Sequence, residues 1–182
     1  DFVHDALRAQ GAGLGNPIRS IKEYGFDLGG PVMKNRFWFW GAVSGNDIVN
    51  AQVGFLKPGC TDATNIDCLQ DDASYLDNYN AKLDYQWAAG QKSSFYWKKG
   101  AKIRNARGAG PLNPLETTVV QDSPGPGDFQ GGHQWVISDR LAVDGKFTYS
   151  DSSFDLDFQD GVDTVQPSFD IVTSMNGRST TA

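Results

Sequence analysis

The chain has 182 residues, a formal net charge of −6 and a pI near 4.7. That is long enough for one domain with a real core, and its acidity argues against nucleic acid as a partner. No apolar run approaches the ~20 residues of a transmembrane helix, which says nothing against strands that cross a membrane with alternating side chains.

Aromatic residues make up 12% of the chain and glycine numbers 21, a mixture that suits strands and turns. The sequence opens on Asp1, so a processed product or a fragment is expected. Val3, Ala6 and Leu7 form a weak stripe at helical spacing, predicting a short helix or coil over Asp1–Gln10. The run Gly11–Pro17 breaks it. Residues 1–20 therefore read as a connector.

Strand character begins at Ile21. Tyr24, Phe26 and Leu28 alternate with Glu23, Gly25 and Asp27, the period of two of a strand with one apolar face. Gly29, Gly30 and Pro31 are expected to stop it, and Lys34, Asn35 and Arg36 keep the turn in water. Phe37, Trp38, Phe39 and Trp40 then follow in a row. A strand places two of these on each face. A strand end at a membrane interface has a use for them, because aromatic rings collect at headgroup depth.

Residues 47–77 read as a long polar loop. It holds Cys60 and Cys68, which an oxidising compartment would join and a reducing one would leave as thiols. The only histidines are His4 and His133, too few and too distant for a zinc set. The acids Asp62, Asp67, Asp71 and Asp72 lack EF-hand spacing; a solvated loop is the leading reading, a loose calcium site the other.

Tyr79–Trp87 alternates again, turns at Ala88–Gln91 and returns over Lys92–Lys99 with Phe95 and Trp97 on one face. Residues 100–130 read as a second long loop, basic at Lys102, Arg104 and Arg107 and then rich in proline and glycine. Its basic start admits an anionic ligand or lipid headgroup; solvent is the simpler neighbour. Gly132–Ile137 and Leu141–Tyr149 form a further hairpin around Ser138–Arg140. A phase slip at Asp151–Ser153 predicts a bulge or bend before Phe154, Leu156 and Phe158. Asp155, Asp157, Asp160 and Asp163 invite a paired-carboxylate or calcium site, but alternation accounts for the first two without chemistry. The tail after Gln166 alternates weakly at Ser168–Thr173 and is then polar and expected to be frayed.

Connections thus alternate short and long. That is the rhythm of an up-and-down outer-membrane barrel, with short turns on one side and long loops on the other. The expected fold is an all-β antiparallel meander of about six strands over residues 21–182. Phe37, Trp38, Phe39, Trp40, Trp87, Trp97, Trp135 and Tyr149 are the expected membrane-interface aromatics, in contact with outer-membrane lipid.

The stretch Asn16–Gly41 resembles the first barrel hairpin of Oar-like TonB-dependent receptors, in which a Tyr-Gly…Gly-Gly-Pro segment, a lysine-containing turn and an aromatic strand recur. Asn78–Gln86 and Gly132–Gln159 look like later barrel strands of that family. The resemblance implies a wide barrel closed by an N-terminal plug, in the cell outer membrane of a Gram-negative bacterium. It implies import of a small ligand (siderophore, carbohydrate or peptide) powered through TonB, ExbB and ExbD. About six strands cannot close so wide a barrel. The chain is therefore expected to be a fragment: the end of the plug or its linker in residues 1–20, then an incomplete barrel, with TonB engaged through a segment absent from it. The sequence has no nucleophile elbow, phosphate loop or metal cluster, so no enzyme and no cofactor are expected. The runner-up is a secreted, soluble β-sandwich that binds carbohydrate on exposed tryptophan and tyrosine.

Overall fold

A computed structural model describes residues 9–10, 15–162 and 165–178. Most of the expected N-terminal helix lies outside the described residues, as do His4 and Asp163. The fold is an all-β antiparallel meander, an open sheet of eight strands that does not close into a barrel.

Four long strands come first: β1 (Ile18–Met33), β2 (Phe37–Leu56), β3 (Leu69–Ala88) and β4 (Gln91–Arg107), each paired antiparallel with the next. The order continues through β5 (Val119–Asp122), β6 (Gly127–Ser138), β7 (Leu141–Asp151) and β8 (Asp155–Phe158). Here the sheet forks. The first half of β4 pairs with β6, from Gln91↔Trp135 to Lys98↔Asp128, while its last residues pair with β5 at Arg104↔Gln121 and Arg107↔Val119. β6 then pairs with β7, and β5 with β8. In effect β5 and β6 are one long strand interrupted at residues 123–126, and β7 and β8 are another interrupted at residues 152–154. The expected bend at the phase slip is this second interruption.

The short turns at residues 34–36, 89–90 and 139–140 all lie at one end of the sheet. Asn35 takes the left-handed conformation (φ 62°) that a tight turn needs and asparagine tolerates. The turns are stitched together: Gln86 N donates to Arg36 O at 2.7 Å, and Val136 N to Gly90 O at 2.8 Å. At the opposite end lie the connections 57–68 and 108–118.

Both long loops are shorter than expected. Residues 47–56 continue β2, residues 69–77 begin β3, and β4 runs to Arg107. Segments such as Asn46-Asp47-Ile48-Val49-Asn50 carry polar residues on both faces, so the alternation that marks a strand fades. The ladder of backbone hydrogen bonds continues without it. Likewise β1 runs through Gly30 and Pro31 to Met33; β1 is an edge strand, where a residue lacking an N–H is tolerated. The tail is also ordered into a hairpin, β9 (Pro167–Phe169) with β10 (Asn176–Arg178). It docks on the 108–118 connection through Asn176 N to Leu112 O at 2.9 Å and Asn176 Nδ2 to Asn113 Oδ1 at 2.6 Å.

Packing is confined to one end. Among the described residues the buried apolar side chains are Ala51, Phe55, Leu69, Ala73 and Ala106, all far from the short turns. The chain exposes 12,324 Å², against about 8,600 Å² for a compact monomer of this mass. The main sheet is a single layer, so the two packed layers of a sandwich are not what these strands build.

Candidate functional site

Directly paired residues of neighbouring strands share a face, so the register sorts the whole sheet into two surfaces. One is apolar. Read from the short-turn end, it carries Phe37, Phe39 and Val43 on β2, Trp87, Tyr85, Leu83 and Tyr79 on β3, and Phe95 and Trp97 on β4. Trp135 and Phe129 on β6 and Phe147 and Tyr149 on β7 continue it, and Phe26 and Tyr24 on β1 complete it. Many are well exposed, Phe26 and Phe147 at 65%. Their rings meet edge-on or tilted: Phe37 with Tyr85 at 6.0 Å, Tyr85 with Trp87 at 4.6 Å, Phe129 with Trp97 at 6.5 Å and with Tyr149 at 6.2 Å. Tyr24 lays its ring over Gly45, directly opposite, where a Cβ would collide with it.

The apolar runs have a common length and a common ending. Trp87 to Tyr79 is a run of nine positions, and so is Leu141 to Tyr149. Two positions beyond Tyr24, Tyr79, Trp97 and Tyr149 on this face stands a charged residue, respectively Lys22, Asp77, Lys99 and Asp151, with Tyr75 and Ile103 lying past the charges of β3 and β4. Nine residues of strand rise ~30 Å, or ~23 Å when tilted by ~40°.

The opposite face is polar and internally paired. Asp84 sits between Lys82 (3.4 Å) and Lys92 (3.1 Å), Lys146 pairs with Asp144 at 3.2 Å, and Lys98 with Asp128 at 3.0 Å. Ser150 also donates to Asp128, and Tyr96 Oη donates to Asn80 Oδ1 at 2.8 Å. Trp38 and Trp40 belong to this face, opposite Asp84 and Lys82. Of the eight aromatics expected at an interface, six lie on the apolar surface and these two do not. Four consecutive residues of one strand cannot share a face.

The forked register opens a pocket of about 310 Å³ on the polar face. Its walls come from β3 and β4 (Asn78, Asn80, Lys98, Gly100) and from the two interruptions (Ser123, Gly125, Ser152, Ser153). The sequence hides it, because the residues come from four separated segments. A trace was legible in the Pro-Gly-Pro-Gly run at 124–127. Gly127 has φ 92°, and a Cβ there would overlap the Lys98 carbonyl; only glycine lets the interrupted strand rejoin β4.

At the far end, Cys60 and Cys68 form a disulfide with Cα atoms 5.5 Å apart. Asp62 accepts from Thr64 Oγ1 at 2.6 Å and Thr64 N at 2.9 Å. The hydroxyl first and then the backbone N–H hold its carboxyl below the usual range. Arg19 pins this connection to β1 through Asp71 Oδ1 (3.1 Å) and Ile66 O (2.6 Å). Asp72 is buried and accepts from Arg104 and from Gln52 Nε2 at 2.8 Å. Asp62, Asp71 and Asp72 are thus engaged with Thr64, Arg19 and Arg104 respectively, and no group of three potential metal ligands occurs among the described residues. Arg104, Arg107 and Lys102 of the expected basic loop instead lie on β4. His133 stands on the apolar face with Nδ1 at 2.8 Å from Ser93 Oγ.

No family model, curated protein or solved structure matches this chain.

Proposed function

We propose that this sheet is part of the barrel wall of a TonB-dependent transporter in the outer membrane of a Gram-negative bacterium. The wall helps take up a small ligand, a siderophore, carbohydrate or peptide. The observation that carries the reading is the apolar face. Its runs of about nine residues, Trp87 to Tyr79 and Leu141 to Tyr149, fit a tilted strand crossing a bilayer, end on a tyrosine ring, and are followed by a charge. Water would be a poor solvent for that surface, and lipid a good one. The polar face, with its paired lysines and aspartates, suits a hydrated lumen. The short turns would face the periplasm, and the end with the disulfide and the small core would stand outside. Residues 47–56 and 69–77 would extend the strands beyond the headgroups. The wall catalyses nothing; energy from TonB, ExbB and ExbD enters through other parts of the transporter. The transport and TonB assignments rest on the resemblance of Asn16–Gly41.

The test follows the intact natural gene product in cells. It should stay with the outer membrane after carbonate washing and cross-link to TonB. An impermeant maleimide should label Leu112→Cys, but not Lys34→Cys, in unbroken cells. Release into the soluble fraction, or labelling of Lys34→Cys alone, would overturn the reading in favour of a secreted binding protein or an inverted wall.

A further inference from the structure

The pocket at the fork has a chemistry of its own. Its formal charges sum to zero, Lys98 and Lys99 against Asp128 and Asp151: Lys98 is paired with Asp128, and Asp151 Oδ1 accepts from Ser153 N at 3.1 Å. What remains for a ligand is neutral. Among the described residues the Asn78 amide and the Ser152 hydroxyl have no side-chain hydrogen bond, and Asn80 spends only its carbonyl oxygen on Tyr96. Amides and hydroxyls offer donors and acceptors side by side, the pattern that matches vicinal hydroxyl groups. The lining contains no aromatic ring, and its two lysines, Lys98 and Lys99, are matched in number by Asp128 and Asp151. The volume of about 310 Å³ lies at the small end of ligand sites, enough for one sugar ring. The space exists because Gly100 has no side chain: a Cβ there would point into the pocket, 3.5 Å from Asn78 Oδ1.

We propose that this pocket, between Asn78, Gly100 and Ser152, is a binding subsite for a neutral polyhydroxylated ligand, a single sugar unit or polyol. As a step on the import route it rests on the transporter reading. As a binding site it does not, so the two are tested apart.

The experiment uses the full chain in detergent with Ser153→Cys as its one free thiol, since the native cysteines are bonded to each other. The rate of N-ethylmaleimide modification is measured with glucose, galactose, mannose, N-acetylglucosamine or sorbitol. A site with a Kd of about 1 mM is about nine-tenths occupied at about 10 mM ligand, so at least one probe at that concentration should slow modification about tenfold. Sodium phosphate at equal concentration should not. Gly100→Val adds a β-branched residue suited to a strand and fills the pocket; it should abolish protection while the band shift of folded protein on unheated gels persists. Should Gly100→Val fail to fold, Asn78→Ala should weaken protection severalfold. No protection by any of the five probes, equal protection by phosphate, or protection that survives both substitutions would overturn the proposal. Loss of membrane association in cells would leave this result untouched and count only against the transporter reading.

Discussion

Asp72 shows how much a single side chain can carry in a sheet with so little core. It is almost fully buried and satisfied by Arg104 and Gln52, which reach it from β4 and β2. Asp72→Ala would leave a guanidinium and an amide facing a void. Arg104 is partly exposed, so the loss should fall at about 2–3 kcal/mol rather than the upper range for a buried pair. Urea unfolding in detergent would measure it, and Asp72→Asn should recover part of the loss. Gly127 is a second such point. Gly127→Ala meets both a left-handed φ and the Lys98 carbonyl and should cost about 2 kcal/mol or more, against a few tenths for a serine-to-alanine change at exposed Ser152. Asp62 gives a pH dependence. Its folded pKa lies below the unfolded value of about 3.9. Its stabilisation of the 57–68 connection is therefore fully present above that value and is lost as pH falls through the folded pKa. Proteolysis of this connection by pepsin should rise steeply on that descent, and Asp62→Asn should be equally susceptible at every pH.

Among the elements, the 57–68 connection depends most on a covalent tie. Closing the short loop between Cys60 and Cys68 removes unfolded-state entropy worth about 2.5 kcal/mol on the chain-entropy estimate. Cys60→Ser with Cys68→Ser should expose residues 57–68 to endoproteinase Asp-N at Asp62 and Asp67 while leaving the sheet's circular dichroism unchanged, because Arg19 and the β2–β3 ladder hold the strands independently. Mass spectrometry of the cleavage products would locate the change. The strands nearest the short turns were legible in the sequence, since Tyr79–Trp87 and Leu141–Tyr149 alternate cleanly and one face of each is apolar. Their extensions were not. Residues 47–56 and 69–77 add side-chain contacts such as Gln52 with Asp72 to the backbone ladder, but neither Asn-Asp nor Asp-Asp marks a face in the sequence. The Asp72–Arg104 pair and the pocket escaped for a related reason: they join residues that only the register brings together.

For the whole molecule, the decisive property is an apolar surface without a protein partner. The buried side chains are few and lie at one end, so in plain buffer the apolar face and the free edges of β1 and β7 should drive association. The chain should sediment as aggregates without detergent and as a discrete folded species with it. Tryptophan quenching by brominated lipids gives a sharper test. In single-tryptophan variants, Trp87, Trp97 and Trp135 should be quenched, while Trp38 and Trp40, on the polar face, should be spared. The fork in β4 has a further consequence. The lower wall, from Gln91↔Trp135 to Lys98↔Asp128, keeps its register whatever happens beyond residue 123, because the chain is released there and caught again by Gly127. The upper segment behaves as a cassette with its own seam. About ten extra residues inserted at Leu112 should slide β5 along β8 at little entropic cost and leave the wall in place. Diversity at the end that carries the disulfide can then accumulate without renegotiating the geometry beneath it.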